Sequence, residues 1–283
     1  MYKSIEEFVR VVFFRHCFLT FIQREYFKKQ RKKSLLADNL SNLQLLVNKV
    51  VERSKAYGLN INITKTKYMV ISRRQNLYTN QLYYNEAVIE RVRSFKYLGC
   101  WLDEKWDCEK EIICRIEIAR SCFFKLRKIL SNTCNYLKLR LRLMKCYVWS
   151  ILLYGVEAWT LKTYHMNLLE SFEMWCYRRI LKIPWTARVT NEDVLKRIGK
   201  SRELLKAIKK RKTAYLGHVI RGDKFNILQL ILEGKIEGKR GIGRKQLSWL
   251  RNIRQWTGLQ TIGSLINTAR NREAVAHIIN NLS

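Results

Sequence analysis

The sequence predicts an α+β chain that is mostly helical. Three observations carry this. Strand-like patterns, short and rich in aromatic and β-branched residues, are confined to the stretch before Trp106. From Asp107 onward apolar residues recur at spacings of three and four over long runs, the period of a helix with one buried stripe. A single proline, Pro184, and only 12 glycines in 283 residues leave few breaks. A hydrophobic content of 47% can fill a sizeable core, and the length suits one to three domains.

Taken in order, residues 1–33 carry two apolar runs, Val11–Phe14 and Phe18–Ile22, split by Arg15 and His16. Each is far short of the roughly 20 residues a membrane span needs, and no small-residue cleavage site follows. This basic leader reads as a partly ordered helix ending in Lys28-Lys-Gln-Arg-Lys-Lys33, unrelated to what comes next. Asn42 to Tyr57 places Leu43, Leu46, Val47, Val50 and Val51 on one helical stripe, with Asn39 or Ser41 to cap it and Gly58 to close it. Tyr68–Ile71 is a short strand, and 82–92 a hairpin turning at Asn85-Glu86. Phe95 to Leu102 reads as a further strand with Phe95, Tyr97 and Trp101 on one face. Helices follow at about 107–130, 136–154 and 164–182, where Pro184 stops the run, then at 193–198 and 202–220. Gly234 to Gly243 is a flexible basic loop, and helices at 246–256 and 262–280 finish the chain.

Charge narrows the partner. Fifty-five Lys and Arg oppose 23 Asp and Glu, a net charge of +32. Such a field implies a polyanion, DNA or RNA bound without sequence preference. A lysine-rich solubility coat is the bland alternative, but the charge is uneven: Lys196 to Arg254 holds 18 Lys or Arg and four Asp or Glu. An anionic membrane is a poorer match, because the sequence carries neither a lipidation motif nor a long basic amphipathic helix. The eight cysteines form no Cys-x-x-Cys pair and have no histidine at finger spacing, so no zinc site is expected; reduced thiols suit the nucleus or cytoplasm.

Several segments occur in a telling order: Ser34-Leu-Leu-Ala-Asp-Asn39, Gly58-Leu-Asn-Ile-Asn-Ile-Thr-Lys-Thr-Lys67, Phe95-Lys-Tyr-Leu-Gly99, Ser150 to Trp159, Phe172 to Leu181, Tyr215 to Arg221 and Glu233 to Lys245. Together, over roughly Ser34 to Ile279, they resemble the C-terminal part of the reverse transcriptases of non-LTR, LINE-type retrotransposons. Beyond the leader 1–33, which has no counterpart in it, the resemblance implies three regions: a palm remnant with primer-grip hairpin over 34–105, a helical thumb over 106–190, and a basic helical C-terminal region over 191–283. The parent activity would be RNA-directed DNA synthesis. That chemistry uses two Mg²⁺ ions held by carboxylates on a rigid turn. In the family an Ala-Asp-Asp turn lies just before Leu-Leu-Ala. Here the matching positions hold Lys29-Gln-Arg-Lys32. No metal or other cofactor is therefore expected, and the chain is expected to be a truncated element, inactive alone. Asp38 reads as a helix-start carboxylate. Asp103, Glu104 and Asp107 read as residues favouring a helix N-terminus rather than a metal site.

The resemblance also implies contacts. Lys65 matches the lysine that approaches the incoming triphosphate, a vestigial role here, with Lys67 beside it. Phe95, Tyr97 and Gly99 match the primer grip, where aromatics beside a backbone-exposing glycine can press on a sugar-phosphate strand. Arg178 and Arg179 are expected phosphate contacts, though a solvated helix face explains them nearly as well. Lys239, Arg240, Arg244 and Lys245, in the glycine-rich loop, are the strongest expected contacts. Tyr154, Glu157 and Trp159 read as core, and His218 as a structural histidine rather than a base.

Overall fold

A computed structural model describes residues 10–16, 32–37, 39–58, 60–71, 81–105, 107–235 and 248–282, with backbone alone for 10–16 and 32–34. The fold is α+β and mostly helical, and it divides into two compact units, Met1–Asp107 and Cys108–Ser283.

The first unit is a small sheet covered by one helix. Strand β1 (Arg10–His16) lies between β2 (Lys32–Ala37) and β3 (Thr66–Ile71), antiparallel to both, and β6 (Glu90–Arg91) pairs parallel to β3. This corrects the helical reading within the leader at residues 10–16; residues 1–9 and 17–31 lie outside the described residues. The run Val11-Val-Phe-Phe14 is β-branched and aromatic, and periodicity cannot distinguish a short buried strand from a helix. Across the sheet runs α1 (Leu40–Ala56). Asn39 caps it, its side chain accepting from the Asn42 amide at 2.7 Å. Its stripe Leu43, Val47 and Val51 packs on Tyr68, Val70, Leu82 and Ile89, each such side chain stabilising the fold by about 1.5–3 kcal/mol. Gln44 of α1 also bonds both backbone groups of Tyr83, at 2.9 and 2.8 Å, and so satisfies β4 (Tyr83–Tyr84), which turns back into β5 (Ala87–Val88).

The segment that alternation reads as one strand over 95–102, and the resemblance as a hairpin, is a hairpin, β7 (Ser94–Tyr97) and β8 (Cys100–Asp103). Leu98 and Gly99 make its turn, both with positive φ, +49° and +87°, the geometry that matches the twist of the two strands.

The second unit is helical. Helices α2 (Glu109–Lys125), α3 (Arg127–Leu130) and α4 (Leu137–Leu143) lead into a wide π-helical turn, Met144–Trp149, and the short α5 (Ser150–Leu152). Next come α6 (Thr163–Ile180), α7 (Asn191–Ile198) and α8 (Leu204–Arg221). Their main core runs without a break from Ile112 to Ile208, across the 190/191 boundary that the resemblance implied. Helix α8 continues into a second core, where Leu216 and Ile220 meet Ile253, Leu265, Ile266 and Ala269. These belong to α10 (Trp249–Thr257) and α11 (Ile262–Arg270), with α12 (Arg272–Asn281) packed beside α8. The helix expected over 262–280 is broken at Asn271, whose side chain caps α12 by accepting from the Glu273 and Ala274 amides. An additional helix, α9 (Asn226–Glu233), precedes the glycine-rich stretch.

Candidate nucleic-acid interface

In the first unit the expected contacts fall into two groups. Lys65 sits exposed in the turn before β3, its amide bonded to the Asn62 side chain at 3.1 Å. Lys67 lies opposite Glu90 in the sheet register and pairs with it at 2.9 Å. Both partners are substantially exposed, so the pair adds little stability and yields readily to a polyanion.

On the hairpin the two-residue turn decides which side chains face out. Phe95 pairs with Leu102, Lys96 with Trp101 and Tyr97 with Cys100. Directly opposed residues share a face, so Phe95, Tyr97 and Leu102 lie together and pack on Met69 and Ile71. The grouping of Trp101 with Phe95 and Tyr97 is therefore corrected. That grouping follows strict alternation along one strand, and a two-residue turn reverses the parity between strands. The opposite face carries Lys96 and Trp101, a cation beside an aromatic ring. Asp103 and Glu104, at the end of β8, are engaged locally: Asp103 accepts from the Lys105 amide at 2.8 Å, and Glu104 lies 3.9 Å from Arg91.

In the second unit the two expected arginines part company. Arg178 donates to the Val189 carbonyl at 2.7 Å and to the Asn191 side chain at 2.9 Å, which ties α6 to the start of α7. Arg179 is exposed, with its guanidinium 4.6 Å from the centre of the Trp175 ring and 5.3 Å from that of Phe124. Lys239, Arg240, Arg244 and Lys245 lie outside the described residues, as do Asp38 and the side chains of Arg31 and Lys32.

Between α6 and α7 lies a groove of about 1010 Å³ that the sequence reading had not identified. Arg178, Arg188 and Arg202 line it, with Glu170 paired to Arg202. On its rim the indole of Trp185 is 96% exposed. The signal for it was in the sequence: Ile-Pro-Trp-Thr-Ala-Arg follows a helix terminus directly, and proline there precludes a continuing helix that would bury the ring.

Buried polar groups hold this unit in shape. Glu173 is fully buried and its Oε1 accepts from the amides of Glu203 and Leu204, at 2.8 and 3.1 Å, and from the Tyr177 hydroxyl at 2.9 Å. Burial, the largest influence, raises its carboxyl above the usual range against the pull of those bonds. Lys212 is equally buried: its ammonium donates to the Trp159 carbonyl and lies 5.4 and 5.2 Å from the centres of the Trp249 and Trp256 rings. Burial pulls it down to about 7. Asn252 clamps both backbone groups of Leu161, at 2.7 and 2.9 Å. Trp159 is core, as expected. Tyr154 is exposed beneath the Arg115 guanidinium, and Glu157 offers its backbone carbonyl to the Trp249 indole at 2.7 Å. His218 is exposed and packs edge-on to Phe225.

No family model matches this chain, and no solved structure does. Over 229 residues, 78% of this chain and 81% of the other, it is 24% identical to a Caenorhabditis elegans protein described as uncharacterized and transposon-derived. The similarity supports a mobile-element origin. Among the described residues no helix is long and apolar enough to cross a membrane.

Proposed function

We propose that this chain derives from the C-terminal part of a non-LTR retrotransposon reverse transcriptase, and that it binds RNA or DNA through backbone charge without polymerising. In this reading residues 34–105, within the first unit, correspond to the end of a palm with its primer grip, and the second unit to a thumb with a basic extension. The observation that carries the reading is the ordered run of motifs from Ser34 to Lys245, spread through both units, in a chain of net charge +32. The tight turn at Leu98-Gly99 and the outward Lys96 and Trp101 add to it.

Polymerase chemistry asks for Mg²⁺. The positions that match the family's metal carboxylates are Arg31 and Lys32, and a guanidinium and an ammonium repel a divalent cation instead of ligating it. The residues present do not fit the metal, so no catalytic step is assigned to them.

Binding to a labelled oligonucleotide tests the reading. Counterion release should weaken affinity by a hundredfold or more between about 50 and 200 mM salt. Primer extension with Mg²⁺ and deoxynucleotides should give no product. Salt-independent binding would refute the nucleic-acid part, and an extended primer the non-catalytic part. A protein-interaction role is the second reading, and it is favoured by α9, which exposes Ile227, Leu230 and Ile231.

A further inference from the structure

The groove between α6 and α7 is built like a receptor for one flat ring. Tryptophan rarely stands free in water, because its indole is large and apolar, yet Trp185 is 96% exposed. Its loop is firmly held. Lys182 and Arg188 bracket it, both left-handed at φ +56° and +44°, a conformation that costs a non-glycine residue about 1–3 kcal/mol and persists only where the surroundings enforce it. Pro184 fixes the backbone immediately before the indole. The Ile183 amide bonds the Arg178 carbonyl at 2.9 Å, and the Arg178 guanidinium holds Val189 and Asn191 on the far side. The ring is thus presented by a rigid turn, which lowers the entropy lost when a second ring stacks on it.

The lining sets the sign of the occupant. Three arginines line the groove against one carboxylate: Arg202 is paired with Glu170 and Arg178 is bonded to Val189 and Asn191, so the lining keeps a cationic excess that includes Arg188, in a chain whose charge already favours polyanions. We propose that this groove is a stacking site for single-stranded nucleic acid: an unpaired base lies on Trp185, and Arg188 draws in the adjoining phosphate. This rests on the nucleic-acid reading above and sharpens it to one strand form and one site. A duplex keeps its bases stacked on one another and has no free face to offer the indole, whereas any unpaired base has one.

The test uses the full chain with Trp185→Ala and Trp185→Phe variants, titrated against a labelled single-stranded oligothymidylate and a labelled duplex, with oligomeric state read by size-exclusion chromatography. Trp185→Ala should weaken single-strand binding about tenfold and leave duplex binding unchanged, while Trp185→Phe, which keeps a ring, should stay within about twofold of the wild type. If Trp185→Ala binds both forms as tightly as the wild type, the chain binds nucleic acid elsewhere and this site is overturned. An equal loss on both forms overturns it too, since stacking discriminates between them. If the wild type self-associates and Trp185→Ala abolishes that without altering binding, the groove is a contact between copies and the proposal falls. If the wild type binds neither oligonucleotide, this proposal falls together with the function on which it rests.

Discussion

At the scale of single residues, the second unit depends on charged groups that water does not reach. Lys212 is the clearest. Two indoles and a carbonyl favour its cation, but burial outweighs them and brings it to about 7, from 10.5 in an open chain. Between those values the unfolded chain binds more protons than the folded one, so stability should rise as pH climbs from about 7 toward 10.5. Below about 7 both states are protonated, and the fold must bury the ammonium. Lys212→Met should remove that rise, which urea unfolding of both proteins at neutral and alkaline pH will measure. Arg178 shows the opposite economy of a surface cation. It reads as a phosphate contact in the sequence, and in three dimensions its guanidinium already holds the backbone of the next loop.

Elements are set by how their ends are satisfied. Helix α8 has no side-chain cap of its own at Glu203. Its first amides are satisfied instead by Glu173, thirty residues away on α6. Removing that acceptor leaves buried donors without a partner, so Glu173→Ala should cost about 2–3 kcal/mol in urea unfolding, and Glu173→Gln, whose amide oxygen still accepts, distinctly less. The hairpin over 94–103 presents the converse case, a suboptimal residue. Leu98 takes φ +49° in a turn suited to glycine or asparagine. Leu98→Asn should therefore stabilise the first unit by about 0.5–1 kcal/mol, seen as a higher melting temperature. The same turn explains why strict alternation puts Trp101 on the wrong face: strand periodicity is legible in sequence, but a turn two residues long inverts it.

On the scale of the whole molecule, each unit has its own core. The core from Ile112 to Ile208 and the one around Leu216 and Ile253 both lie within Cys108–Ser283. That segment, expressed alone, should melt cooperatively, as calorimetry or circular dichroism will show. Net charge acts at this scale as well. Its effect on binding is long-ranged and screened, so salt should tune affinity for the intact chain far more than any single surface lysine does.

By itself the sequence determined the class of fold, the order of most helices and the sign of the chain's own charge, because these follow from local periodicity, composition and charge. The stripe on α1, the stop at Pro184 and the cationic excess need no distant contact to be seen. Tertiary structure alone decided the rest. Strand pairing placed Arg10–His16 at the centre of a sheet, since an apolar run of that length is ambiguous until its neighbours are known. Long-range hydrogen bonds assigned Glu173, Arg178 and Lys212 to the framework, and packing left Trp185 outside it, because whether a side chain is buried depends on segments far away in the chain.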